Sequence, residues 1–242
     1  MLSKLITRGT RIELREVEKN GIMSPEAKFK IYKSRVIDIL SEDTLEIEMP
    51  MEQTKLILLP VDSEYDLIFY VEGGLYQCFV RIVDRYKSNN VYILLLELTS
   101  SLRKYQRREY FRYDCAYEIQ TRVLLEEEQE AIEKKQPYIL QAGLAMTKGV
   151  IVDISGGGLR FLSSEKYDQG SLIYCYFSLY TGGNLKTFEM IGRIISIKEV
   201  ENKPGVTEHR MEFFNTNTNT REEIIRFIFE EERKNRKRDR LP

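Results

Sequence analysis

Long apolar runs are missing from this 242-residue chain, and no segment approaches the roughly 20 apolar residues needed to cross a bilayer. The first residues, Met1-Leu2-Ser3-Lys4-Leu5-Ile6-Thr7-Arg8, lack the apolar stretch and small-residue cleavage site of a secretory signal, so the expected location is cytoplasmic. Net charge is nearly absent: 37 basic against 38 acidic side chains leave −1, and no global field draws the chain to nucleic acid. Cysteine is sparse and odd in number. Cys78, Cys115 and Cys175 stand far apart with no C-x-x-C pair, which argues against a zinc site or a disulfide framework and for buried reduced thiols. His209 is the single imidazole and lies in a strand-like run, His209-Arg210-Met211-Glu212-Phe213-Phe214, with no Ser, Cys or acid paired to it in a catalytic pattern. No activated nucleophile, metal cluster or carboxylate pair is visible, so the reading is a non-enzyme with no cofactor or metal.

What the chain does have is 42% hydrophobic and 31% charged residues, an ordinary globular balance with length enough for two modest cores. Up to about Leu98 it reads as short strands: Arg11–Val17, Phe29–Leu40, Thr44–Met49, Lys55–Leu59, Tyr65–Val71, Leu75–Arg85 and Val91–Leu98. Several alternate apolar with polar, and turns fall at Glu72-Gly73-Gly74 and Ser88-Asn89-Asn90. Thr99–Tyr105 loses that periodicity. Strands resume at Arg112–Arg122 and continue through Gly149–Ile154, Gly158–Leu162, Ser171–Tyr180, Lys186–Val200 and Glu208–Phe214. Leu124–Lys135, rich in Glu, Lys and Ala, reads as a short helix inserted in the second half. Thr220-Arg221-Glu222-Glu223 has the capping-box pattern that opens a helix, and Ile224, Ile225, Phe227, Ile228 and Phe229 form a wide apolar stripe that should dock on protein. The expected fold class is mainly β: two small antiparallel β-barrels in tandem, with a C-terminal α-helix and a short helical insertion in the second barrel. The domains are 1–98 and 107–242, joined by a linker at 99–106.

Two short runs carry the functional information. Gln106-Arg107-Arg108-Glu109-Tyr110-Phe111-Arg112 sets three guanidinium groups beside aromatics, and guanidinium pairs bidentately with phosphate oxygens or the guanine O6/N7 edge. Asp153-Ile154-Ser155-Gly156-Gly157-Gly158 follows a strand and precedes another, so it is neither a P-loop nor a dinucleotide-binding turn, both of which need a helix next. Its glycines allow close backbone approach and positive φ, Asp153 can accept from a guanine N1/N2 edge, and Ser155 offers a hydroxyl. Taken alone, the first run reads more simply as a solvated basic patch balanced by Glu109 and Asp114, and the second as a glycine-rich hairpin. Together they suit a nucleotide second messenger.

In order, the two runs resemble the PilZ family of cyclic di-GMP receptors, whose signature is R-x-x-x-R at the start of a barrel followed by [DN]-x-S-x-x-G. Arg108-Glu109-Tyr110-Phe111-Arg112 matches the first element, with Arg107 doubling the arginine, and Asp153 to Gly158 matches the second. The preceding barrel is similar to the N-terminal domain of YcgR-like flagellar brake proteins. The segment between the motifs, about Thr121–Lys148, is longer than is usual there.

The resemblance implies a cyclic di-GMP site of Arg107, Arg108, Arg112, Asp153, Ser155, Gly157 and Gly158, with Gln106 and Gly156 as additional candidates. Because Lys104–Arg112 joins the barrels, the expected mechanism is that this segment is mobile without ligand, orders when cyclic di-GMP neutralises its arginines, and so changes the arrangement of the barrels. Flagellar stator or rotor proteins are the implied partners, with recruitment to the flagellar basal body. Control of exopolysaccharide synthesis or export is the alternative. A further alternative is a barrel that stacks single-stranded nucleic acid on some of its 15 Tyr and 11 Phe, although no nucleic-acid partner is expected at this net charge.

Overall fold

The computed structural model describes residues 2–17 and 30–238, so Phe29, the first residue of one expected strand, lies outside the described residues. The chain divides into two compact units, Met1–Arg107 and Arg108–Pro242. The expected mainly-β class with a C-terminal helix is what the backbone shows.

Among the described residues of the first unit a one-turn helix, α1 (Leu2–Leu5), precedes nine strands: β1 (Arg11–Glu16), β2 (Ile31–Ile39), β3 (Thr44–Glu48), β4 (Met51–Glu52), β5 (Lys55–Leu56), β6 (Glu64–Val71), β7 (Gly74–Ser88), β8 (Val91–Leu98) and β9 (Arg103–Tyr105). The sheet order is β6-β1-β2-β3-β8-β7-β9, and β6 also pairs with β7, which joins six strands into a ring. Strand β7 makes this possible by its length: Arg81 and the residues before it pair with β6, while Val80 onward pairs with β8. Alternate side chains point inward, as a period of two requires, and Leu14, Leu45, Ile47, Leu67, Phe69, Val80, Ile82, Leu94 and Leu96 build the core.

Two expectations change here. The strand expected at Lys55–Leu59 is only the two-residue β5, paired with β4, because Leu58 is solvent-exposed and Pro60 follows at once. Within 99–106, Arg103–Tyr105 is a strand whose residues pair with Leu75–Gln77 of β7. Its charges occupy an exposed edge while Leu102 packs on the first core, which accounts for the lost periodicity.

The second unit holds β10 (Arg112–Val123), α2 (Glu126–Glu133), β11 (Thr147–Ser155), β12 (Gly158–Ser163), β13 (Leu172–Thr181), β14 (Asn184–Glu199), β15 (Thr207–Phe214) and α3 (Thr218–Arg238). Its strands close into a barrel in the order β10-β11-β12-β15-β14-β13. Ile119, Ile151, Ile154, Phe161, Phe177, Leu179 and Ile194 fill it, and Ile224, Phe227 and Ile228 of α3 join the same core. Phe227 meets the rings of Tyr113 and Tyr117 edge-on at 6.0 and 5.6 Å. The stripe read from sequence is narrower than expected, since Ile225 is half-buried and Phe229 is 58% exposed. Position 229 lies about 100° beyond 228 around the helix, away from the barrel. The cap also moves: α3 begins at Thr218, and Asn217 Oδ1 accepts from Thr220 N at 2.8 Å, so Asn217 rather than Thr220 caps it.

The remaining sequence landmarks are core groups. His209 is fully buried, stacked on Phe161 at 4.9 Å, with Nε2 accepting from Tyr167 N. Burial lowers its pKa and keeps the imidazole neutral. All three cysteines are free. Cys78 and Cys175 are buried and Cys115 half-buried, and burial pushes each thiol up to about 12.

The inserted helix is fastened by one ion pair. Arg122 on β10 donates from both terminal nitrogens to Glu128 of α2, each at 2.8 Å, and the two side chains are 7% and 5% exposed. Glu128 also accepts from Leu125 N and Gln141 N, so one carboxylate closes the first turn of α2 and ties down the return segment. The Arg122 hydrogen bond, opposed by burial and aided by the two backbone donors, holds the Glu128 carboxyl down at about 2. Removing one partner strands a buried charge. We expect Arg122→Met to cost about 3–5 kcal/mol in urea denaturation, and Arg122→Met with Glu128→Leu to recover only part of it, because Leu125 N and Gln141 N then lose their acceptor. Because the folded pKa lies below the unfolded one, the pair's contribution is complete above about 4.5 and fades as pH falls toward 2. The double variant should lose less stability than wild type across that window.

Candidate functional site

The site of the second barrel is built by strand register. Arg112 lies opposite Ser155, Ser155 opposite Gly158, and Gly158 opposite Glu212, forming one row across β10, β11, β12 and β15. Two residues along, Asp114, Asp153, Arg160 and Arg210 form a second row. The residues between these rows, Tyr113, Ile154, Leu159 and Met211, are core, so both rows belong to the outward face. Arg112, Asp153, Ser155 and Gly158 are thereby brought together as the motif spacing predicts.

The glycines serve a different purpose from the expected positive φ. None of Gly156, Gly157 and Gly158 has φ in the left-handed region; each is glycine because something lies where a Cβ would be. A Cβ on Gly158 would stand 2.1 Å from the Met211 carbonyl oxygen of β15. On Gly156 it would meet Tyr110 Cδ1 at 2.6 Å and Ile225 Cγ1 at 2.8 Å, and on Gly157 it would meet Tyr110 Cδ2 at 3.0 Å. The Tyr110 ring therefore rests on the glycine turn, with the guanidinium of Arg221 of α3 over it, 5.6 Å from the ring centre. Ser155 fixes the turn itself: its hydroxyl donates to Gly158 O at 3.0 Å and accepts from Gly157 N at 3.4 Å.

Tyr110 thus pins the middle of R-x-x-x-R and leaves its ends free. Arg108 and Arg112 are exposed, and neither has an ion pair or side-chain hydrogen bond among the described residues. Asp153, by contrast, is 8% exposed and engaged, accepting from Arg160 Nε at 2.6 Å through Oδ2. Arg160 in turn donates to Glu208 at 3.0 Å. Burial works against the Arg160 charge, but these two carboxylates outweigh it and raise its pKa above the ordinary guanidinium value. Two groups that the sequence reading did not assign to the site, Tyr110 and Arg160, hold it in shape. The alternation beyond Gly158 could have placed Arg160 on this face.

Arg107 belongs to the first unit. Its Nη1 donates to Tyr70 OH at 2.8 Å, and it lines a cavity of about 670 Å³ with Arg11, Lys33, Arg35, Glu13 and Glu48 among others. Arg11 and Arg35 are directly opposed across β1 and β2, a like-charge pair that is unfavourable without an anion. Gln106 is exposed and makes no side-chain hydrogen bond among the described residues.

A profile described as PilZ domain matches residues 106–230. The chain belongs to the PilZ family. Residues 7–98 match a second profile, PilZNR, described as flagellar protein YcgR. Among solved structures, the Bacillus subtilis inhibitor of motility (MotI/DgrA) is 17% identical, with 95% of this chain and 99% of that one covered and a TM-score of 0.70, a likeness of fold. YcgR from Escherichia coli in complex with c-di-GMP is 16% identical over 96% of this chain and 87% of that one, with a TM-score of 0.43. No curated protein sequence matches the chain. In this PilZ domain the signature arginines and the D-x-S-x-x-G turn share one end of the barrel.

The close approaches rank the glycines. Gly158→Ala meets backbone that cannot yield and should cost about 3 kcal/mol in urea denaturation, whereas Gly157→Ala, facing only the Tyr110 ring edge, should cost less than about 1 kcal/mol. Gly156→Ala should lie between them and, like Tyr110→Ala, speed protease cleavage within 108–111 by about tenfold. Equal stability of all three alanine variants would contradict the packing described.

Proposed function

We infer that this PilZ protein is a cyclic di-GMP receptor that regulates motility in the manner of the YcgR group. The observation that carries the reading is the pair of exposed arginines, Arg108 and Arg112, unpaired among the described residues and flanking a tyrosine pinned to the glycine turn. In a chain of net charge −1, free guanidinium groups at one fixed place supply the local attraction for phosphate that the whole molecule lacks. Asp153 offers its second carboxylate oxygen to a guanine edge. Ser155 acts through the turn it braces. Family membership supports the ligand class, and the match of residues 7–98 to a flagellar protein profile supports the motor as destination.

Arg107 is the third arginine assigned to the ligand. A ligand that engages Arg107 together with Arg108 and Arg112 couples the two units, and the backbone free to respond is short: β9 ends at Tyr105 and β10 begins at Arg112. With Tyr110 held on the glycine turn, residues 106–109 are then the hinge, a narrower span than Lys104–Arg112. The shift between arrangements equals the ligand's preference for one over the other, and the partner at the flagellar stator or rotor reads that change. The protein acts in the cytoplasm without catalysis of its own.

Calorimetric titration with cyclic di-GMP tests the assignment. Arg108→Ala and Arg112→Ala should each weaken binding about ten- to a hundredfold, the loss of one charge-assisted contact of about 1.5–3 kcal/mol, and Arg107→Ala should weaken it less. Wild-type affinity in both Arg108→Ala and Arg112→Ala would remove the site.

A further inference from the structure

The basic run Arg233-Lys234-Asn235-Arg236-Lys237-Arg238 has no part in the ligand site, yet the fold does not leave it as an isolated helix end. Helix α3 passes along the β13–β14 hairpin: Lys186 pairs with Glu223 of α3, Glu230 accepts from Gly182 N at 3.1 Å, and Lys234 Nζ lies 5.9 Å from the Tyr180 ring centre. Tyr180, Gly182, Gly183, Glu230, Arg233, Lys234 and Lys237 enclose an open cavity of about 370 Å³. Beside it the hairpin carries two exposed large side chains, Tyr180 and Leu185. Tyr180 and Leu185 are direct cross-strand partners, 53% and 70% exposed. Phe229, 58% exposed, shares a helix face with Arg226 and Arg233 at three- and four-residue spacing.

Among the described residues, the three consecutive glutamates of α3 beside this surface are already engaged. Glu230 holds the hairpin amide, Glu231 pairs with Lys234, and Glu232 pairs with Arg236. Arg233, Lys237 and Arg238 have no carboxylate partner among the described residues. A hairpin bearing an exposed tyrosine and leucine, ringed by unpaired cations, combines the two features that interfacial membrane binding needs: apolar groups that enter the headgroup boundary and cations that meet anionic lipid.

We propose that the β13–β14 hairpin and the basic end of α3 form a docking surface for an anionic bilayer, with Leu185 and Tyr180 entering the interface and Arg233, Lys237 and Arg238 facing lipid phosphates. This surface is separate from the arginine and glycine motifs and does not depend on the ligand assigned to them.

The chain has no tryptophan, so Leu185→Trp places a single fluorophore at the tip of the surface. With vesicles of phosphatidylcholine containing roughly a quarter phosphatidylglycerol, the emission should shift to the blue and become accessible to a bilayer-depth quencher. Vesicles of phosphatidylcholine alone should give no shift. A Leu58→Trp control, 64% exposed on the first unit, should stay unshifted in both. Adding Arg233→Glu and Lys237→Glu to Leu185→Trp should weaken vesicle binding at least about 25-fold, at about fivefold for each cation removed. Three results would overturn the proposal: no shift with anionic vesicles, equal shifts with neutral ones, or unchanged affinity in the charge-reversed variant. Polyglutamate binding as tight as vesicle binding and indifferent to Tyr180→Ser with Leu185→Ser would assign the surface to an acidic protein instead.

Discussion

Three missing β-carbons set the geometry of the second barrel's site. Where Gly158 passes the Met211 carbonyl there is no room for even a methyl group, so β12 and β15 can close only with glycine there. Gly156 and Gly157 leave a shallow seat that Tyr110 fills, and Arg221 and Ile225 of α3 complete it. One steric constraint thus joins the strand turn, the entering arm and the terminal helix. An arm without that anchor would spread its arginines over many conformations and lose binding energy to their ordering.

The electrostatics follow from who is paired. Asp153, Arg160 and Glu208 form a chain of ion pairs along the outward face, which orients the aspartate and compensates its burial. Arg108 and Arg112 are left out of that chain. The division matters in a protein with balanced charge: among the described residues no carboxylate pairs with either arginine, so two cations stand where a phosphate ligand would meet them. The Arg122–Glu128 pair follows the opposite pattern, with both charges buried and consumed in holding α2 to β10, and it has nothing left to offer a ligand.

Much of this was legible in the sequence, and the failures share a cause. Arg112, Asp153, Ser155 and Gly158 could be placed because spacing along strands and a short hairpin convert directly into neighbours across a sheet. What spacing cannot convey is which atoms approach from elsewhere. The glycines therefore suggested positive φ when the deciding atoms were those of Met211, Tyr110 and Ile225, all distant in sequence. Tyr110 and Arg160 were passed over for the same reason, since an aromatic inside an arginine run and an arginine after a turn have no local mark of their roles. Arg103–Tyr105 looked like linker because an edge strand needs no buried alternation. The apolar stripe on α3 was read one residue too wide because helix phase around a curved barrel decides that Ile228 is buried and Phe229 is not.

The central claim is that cyclic di-GMP is held by an arginine arm pinned on a glycine turn of the second barrel. Amide hydrogen exchange of the full chain with and without the nucleotide tests it most directly. Ligand should slow exchange in residues 106–112 and 153–160 together, while β3 and β8 of the first unit remain unchanged. Protection confined to other segments, or none at saturating nucleotide, would contradict the account.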